Sequence, residues 1–304
     1  MSQQLSTTPS GSPFALDNDA AYVPWRAAKL DAPLPATPIP IEDLNNLRQA
    51  ERHALLCACA THNFALFRGG KVPQALEPAL RRFGQRLGLS EIDRNLCAED
   101  SGITAITVKE TATEHVYIPY TNRPLGWHTD GYYNATQHQV RAWMLFCAQP
   151  ADEGGSNELL DHEIAFIRLR DANPAWVAAL MATDALTIPG NVEGGVQIRP
   201  HHSGPVFSVS PLDGKLHMRY SARQRNVIWK DDPATRDAAA YLLELLDSDD
   251  DHRLRHRLQA GEGIVSNNVL HRRDAFRDAA ESGAKRLIYR ARYHQRLPEP
   301  QACD

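Results

Sequence analysis

The 304-residue chain carries 33 Lys and Arg against 37 Asp and Glu, a formal net charge of −4. Such a length buries a sizeable core, and the mild acidic excess argues against a nucleic-acid partner. No uninterrupted apolar run approaches the ~20 residues that span a bilayer, so no membrane partner is expected.

Residues 1–13, rich in Ser, Gln, Thr, Gly and Pro, read as a disordered tail without a basic-then-apolar leader, and 14–304 as one domain with a helical N-terminal part. Apolar spacing predicts a helix over 41–60, a strand over 63–68 closed by Gly69-Gly70, and a second helix over 72–87. From residue 104 the period becomes strand-like, with strands at 104–108 and 116–118. The continuous apolar run 141–147 is that of a strand buried on both faces. Helices are predicted at 161–170, at 174–181 with proline in its first turn, and at 233–246. Further strands fall at 206–209, 215–218, 263–266 and 286–293. The Gly-rich stretch 189–205 reads as an inserted lid-like loop, and the mixed-charge run 247–257 as a solvated helix end or surface loop. Many short strands broken by turns, with helices at one end and in insertions, imply a mainly β fold with flanking helices, a sandwich or barrel. The five cysteines are odd in number and lack CxxC spacing, which predicts reduced thiols in a cytoplasmic protein.

The chemistry concentrates in the motif GWHTDGYY at 126–133. His128 is the one histidine of the thirteen with an acid two residues on, and on a strand His128 and Asp130 share a face. Two imidazoles and a carboxylate form the facial triad that holds Fe(II) and leaves positions open, and His271, closing NNVLH, supplies the second imidazole from another strand. Arg286 beyond it offers a cation to a dicarboxylate co-substrate. Rival metal candidates are weaker. His201 and His202 are adjacent, so their rings diverge on a strand, and His252 with His256 has helical spacing but no HExxH glutamate.

In these parts the chain resembles the TauD/TfdA family of Fe(II)- and 2-oxoglutarate-dependent oxygenases, over about residues 63–293. GWHTDGYY is similar to the family's first metal motif, NNVLHRRDAF to its distal motif, and RLIYRARY to its arginine strand. DEGGSNELLDHE is similar to its Gly-Gly turn, with Asn157 where threonine is more usual. The resemblance implies a double-stranded β-helix (jelly-roll) core. It implies Fe(II) on His128, Asp130 and His271, with 2-oxoglutarate held by Arg286 and Asn157, and O₂ as the oxidant. The expected reaction is hydroxylation of a small anionic metabolite with release of succinate and CO₂, and the intact Asp130 disfavours halogenation. Arg290, four residues after Arg286 and so on its face of a regular strand, is the candidate either for the substrate's anionic head, with Tyr120 and Asn122 lining the cavity, or for a structural ion pair with an acid such as Asp274 or Glu158. Tyr132 and Tyr133 flank the metal motif, and Arg272 or Arg273 would brace the site from behind. Two other readings use the same residues: a β-barrel metalloenzyme that takes no 2-oxoglutarate, and a non-catalytic metal- or ligand-binding sensor of the same fold. A homo-oligomer is compatible with each.

Overall fold

The computed structural model describes residues 11–71, 73–93, 102–108, 118–223, 225, 227–279 and 283–303. These residues mix helices with several sheets, and they divide into two compact units, each assembled from separated stretches of chain.

One unit comprises Leu34–Gly126, His138–Leu159 and Arg253–Asp304. Its main sheet has the order Ile39–Asp43, Phe64–Lys71, Glu262–Ser266, Ala142–Gln149, Leu287–Tyr293, Thr104–Ile106. The first pair is parallel and the other pairings are antiparallel. Ala142–Gln149 shows why a central strand is apolar, here from Ala142 to Ala148. Ala142, Met144 and Phe146 pack with Leu55, Leu56 and Cys59 of the helix Gln49–His62 and with Leu80 and Phe83 of the helix Leu76–Arg86. Trp143 and Cys147 face the opposite way, into a layer with Phe64, Ile264 and Ile288. That layer also takes Leu159, Leu254 and Val269 from a second sheet or its edge. The second sheet has the order Arg253–His256, Asn157–Leu160, Leu270–Arg273, Leu125–His128. Two sheets thus bury a common apolar layer, and the candidate residues Asn157 and His271 lie on the second.

The other unit comprises the described part of residues 1–33 with Trp127–Gln137 and Leu160–His252. Its helices Asp19–Asp31, His162–Ala172, Pro174–Leu180 and Pro233–Asp247 accompany short antiparallel strands. Phe14, Trp25, Phe166 and Phe207 meet edge to face in its core. Buried Lys29 places its ammonium 2.6 Å from Asp161 and 2.6 Å from Glu163, so the helix starting at His162 is held by a closed charge cluster.

Several expectations change. The predicted helix over 41–60 starts only at Gln49, because 39–43 adds a parallel edge strand beside Phe64–Lys71. Gly69 and Gly70 continue that second strand rather than closing it. Of the predicted strand at 116–118, residues 116 and 117 lie outside the described residues, and Ile118 opens a 3-10 turn, Ile118–Tyr120. Of the predicted tail, 1–10 lie outside the described residues and 11–13 form turns, with Ser12 buried. The stretch 189–205 is not irregular but carries the strands Asn191–Glu193, Val196–Arg199 and His202–Gly204. Within 247–257, Arg253–His256 is a strand, and the Arg253 guanidinium lies inside, 3.8 Å from buried Glu158. The expectation of five reduced thiols is overturned by a Cys57–Cys303 disulfide, while Cys59 and Cys147 are free and buried. The helix turns Cys57 away from the face that buries Leu55, Leu56 and Cys59, and its partner is 246 residues distant, so sequence spacing could not pair them.

Candidate active site

His128 ends its strand opposite Ser221. Thr129 N–H donates to Tyr220 O at 3.0 Å, and Tyr220 N–H donates back to Thr129 Oγ1 at 3.1 Å. This exchange holds Thr129 wholly buried, and by alternation it sends His128 and Asp130 to the other side. Gly131, at φ +66°, then turns the chain away.

His271 is placed by the turn before it. Asn268 adopts a left-handed conformation, φ +60°, with its amide donating to Val140 O at 2.6 Å. Asn267 N–H donates to Asn63 O at 2.7 Å, and Val269 N–H to Ser266 Oγ at 3.1 Å. The two adjacent asparagines are therefore the fixings of a tight corner ahead of the strand Leu270–Arg273. His271 Nδ1 lies 2.9 Å from Val269 O. A carbonyl only accepts, so Nδ1 carries the proton and the lone pair resides on Nε2. The Trp143 ring packs 4.7 Å from the imidazole, centroid to centroid.

His128, Asp130 and His271 each offer one ligand atom, and these atoms all lie within 4.8 Å of one another. His128 Nε2 is 3.6 Å from Asp130 Oδ1. Two imidazoles, one with its tautomer fixed, and one carboxylate are the donor set of non-haem Fe(II), so the residues fit that ion. The rival histidines serve other contacts. His252 meets Asp250 at 3.0 Å and the Leu30 carbonyl at 3.0 Å, and His256 meets Glu262 at 2.9 Å.

The Gly-Gly turn and Arg286 belong to one construction. Gly154 and Gly155 have φ near +70°, and a Cβ on Gly154 would fall 2.2 Å from Ala275 O. A Cβ on Gly155 would face Phe276 at 3.4 Å and Arg286 Nε at 3.6 Å. Both positions need glycine for their positive φ, and Gly154 also for the close approach of the Ala275 carbonyl. The Arg286 guanidinium lies over the Phe276 ring at 4.9 Å, and Arg273 lies over the same ring at 4.8 Å. Burial lowers the Arg286 pKa to about 10, with Cys147 and Asp278 opposing, so it stays cationic at neutral pH. Among the described residues, no carboxylate comes within ion-pair distance of this guanidinium; Asp278 accepts from the Arg286 backbone N–H instead. Asn157, also buried, has an Nδ2 without a hydrogen-bond partner among the described residues. A buried cation and a buried donor, both unpaired, are what a carboxylate ligand requires.

The remaining candidates are placed less sharply. Arg290 sits across from Leu145 and Thr104, on the strand face that turns Ile288 toward the Trp143 layer. The register shift between Leu287 and Ile288 puts the extra residue, Ala148, in the partner strand Ala142–Gln149. Tyr120 is buried at the end of the 3-10 turn. Asn122 is exposed, and its carbonyl accepts from Phe276 N–H at 3.1 Å. Arg273 braces this turn, donating to the carbonyls of Pro119 (3.4 Å), Thr121 (3.0 Å) and Arg123. Arg272 pairs with Glu158 at 2.9 Å, and Arg292 pairs with Asp93 in the interior. The Phe276 platform was missed in the sequence, although the phenylalanine lies within the quoted motif NNVLHRRDAF.

The family described as "Taurine catabolism dioxygenase TauD, TfdA family" matches residues 27–292. The chain belongs to this family, and it is an Fe(II)- and 2-oxoglutarate-dependent dioxygenase. A uridine-5'-phosphate dioxygenase from Streptomyces sp is 28% identical over 210 residues, 66% of this chain and 72% of that protein. Among solved structures, an asparagine oxygenase in complex with Fe(II), 2S,3S-3-hydroxyasparagine and succinate aligns with TM-score 0.60 and 16% identity. That alignment covers 95% of this chain and 87% of the other. A taurine dioxygenase from Burkholderia xenovorans aligns with TM-score 0.55 and 17% identity over 86% of this chain and 89% of its own. No helix among the described residues is long and apolar enough to cross a membrane.

Proposed function

We propose that this dioxygenase hydroxylates a small anionic metabolite, with His128, Asp130 and His271 as its iron ligands and a jelly-roll core formed by the two facing sheets. The approach of three ligand atoms to within 4.8 Å carries the reading. Fe(II) with 2-oxoglutarate and O₂ supplies the oxidant, and the co-substrate leaves as succinate and CO₂. What the chain contributes is placement. The Arg286 fork suits the remote carboxylate of 2-oxoglutarate, matching it with two parallel donors where lysine would offer one point charge. Asn157 Nδ2 adds a neutral donor. Phe276 keeps the cation from tilting and excludes water beside it. Arg290, Tyr120 and Asn122 are proposed to meet the substrate, and the 189–205 segment to cover it. The Streptomyces relative, by its name, acts on a nucleoside phosphate, which supports a phosphate ester as the anion.

The test is succinate formation from 2-oxoglutarate under air with Fe(II), over a panel of phosphate esters, sulfonates and carboxylates. Succinate rising with one substrate, and lost in His271→Ala, is expected. Turnover without 2-oxoglutarate would refute the reading.

A further inference from the structure

Residues 220–222 run beside the segment that carries His128. Thr129 N–H donates to Tyr220 O at 3.0 Å, Ala222 N–H donates to Trp127 O at 2.8 Å, and Ser221 lies opposite His128. Arg223 comes next, its N–H directed at Ser221 Oγ at 3.3 Å. Its side chain is half-buried, and that of Arg225 is exposed. Among the described residues, no carboxylate reaches ion-pair distance of either guanidinium. The charged and titratable groups that act on Arg223 are Arg225, which repels it, and Tyr132 of the metal motif. Burial and then Arg225 push the Arg223 pKa below its ordinary value. Nearby arginines elsewhere in this unit are used up in structure: Arg219 donates to the carbonyls of Gly204 (3.0 Å) and Leu186, and Arg199 to that of Pro189 (2.9 Å). Arg223 and Arg225 are like charges without an acid partner among the described residues, one of them partly withdrawn from water next to a proposed metal-binding strand. That arrangement favours an anion from outside the protein.

We propose that Arg223, backed by Arg225, is the seat of the substrate's phosphoryl group, and that the substrate is a phosphate monoester. This rests on the reading of the protein as an oxygenase of a small anion. A phosphate dianion matches a pair of guanidiniums in charge, and its oxygens accept two parallel donors from the Arg223 fork. The seat would hold the ester at one end beside the strand of His128 and Asp130, leaving its carbon skeleton to extend from there. A nucleotide and a sugar phosphate share this group.

The experiment is calorimetric binding of uridine 5'-phosphate, ribose 5-phosphate and uridine to the full chain loaded with Mn(II) and 2-oxoglutarate without O₂. Wild type, Arg223→Gln, Arg223→Lys and Arg290→Gln are compared, with circular dichroism to verify folding. Wild type is expected to bind at least one phosphate ester tenfold or more tighter than uridine. Arg223→Gln should lose that preference without changing uridine binding, and Arg223→Lys should keep part of it. Preference for both esters would support the seat and indicate a sugar phosphate. Preference for uridine 5'-phosphate alone would support it and indicate a nucleotide. Wild type without a phosphate preference, a preference that survives in Arg223→Gln, or one erased by Arg290→Gln alone, would overturn it. The oxygenase reading fails separately, if no compound in the succinate panel is turned over while the Arg223-dependent preference persists.

Discussion

Replacing Arg286 by alanine removes the buried cation without filling its place. Its guanidinium is 5% exposed as a residue, stacks on Phe276, and has no carboxylate partner among the described residues. A carboxylate brought into that position in the variant would be buried without its counter-charge, a loss of about 3–5 kcal/mol. At 1.4 kcal/mol per decade this weakens 2-oxoglutarate by about two to four orders of magnitude. Asn157→Ala removes one neutral donor, about 1 kcal/mol, or about fivefold. Arg286→Lys keeps the charge but loses the fork, and should fall between them. Calorimetric titration of 2-oxoglutarate into the Mn(II)-loaded protein without O₂ measures all three. Equal losses for Arg286→Ala and Asn157→Ala, or less than a tenfold loss for Arg286→Ala, would refute the assignment of the co-substrate carboxylate to this arginine.

His271→Ala should abolish succinate formation and weaken Co(II) binding, read from its visible spectrum, while circular dichroism stays unchanged. Gly154→Ala forces a methyl to 2.2 Å from Ala275 O at a φ of +70°, so the turn must move; a lower melting temperature and weaker 2-oxoglutarate binding are expected, and unchanged binding would show that the turn does not shape the site. Lys29→Met strands the buried carboxylates of Asp161 and Glu163, with a loss of about 3–5 kcal/mol of stability in urea denaturation at pH 7.

The residues that carry chemistry were legible because their spacing is short. His128 and Asp130 are two apart, and NNVLH contains both the corner and the ligand it places. The central strand was legible because burial on both faces leaves no polar position in it. What spacing cannot show is set by distant partners. Arg253–His256 reads as surface charge until Glu158 meets it from another strand, and the Cys57–Cys303 bond joins residues 246 apart. Nor does sequence reveal that no acid among the described residues reaches ion-pair distance of Arg223, since that depends on which of 37 acids fold toward it.

Two arginines lie over the Phe276 ring, and the two cations repel: burial, then Arg286, lowers the Arg273 pKa to about 9. Arg273 is also the residue that ties down the carbonyls of Pro119, Thr121 and Arg123 around Tyr120. An anion that neutralises Arg286 therefore relieves Arg273 as well, and strengthens its grip on that turn. By thermodynamic reciprocity, whatever tightens the turn must in equal measure tighten the anion. On the proposed site for 2-oxoglutarate, the diacid's arrival at Arg286 would thus be felt at the turn around Tyr120 that Arg273 holds.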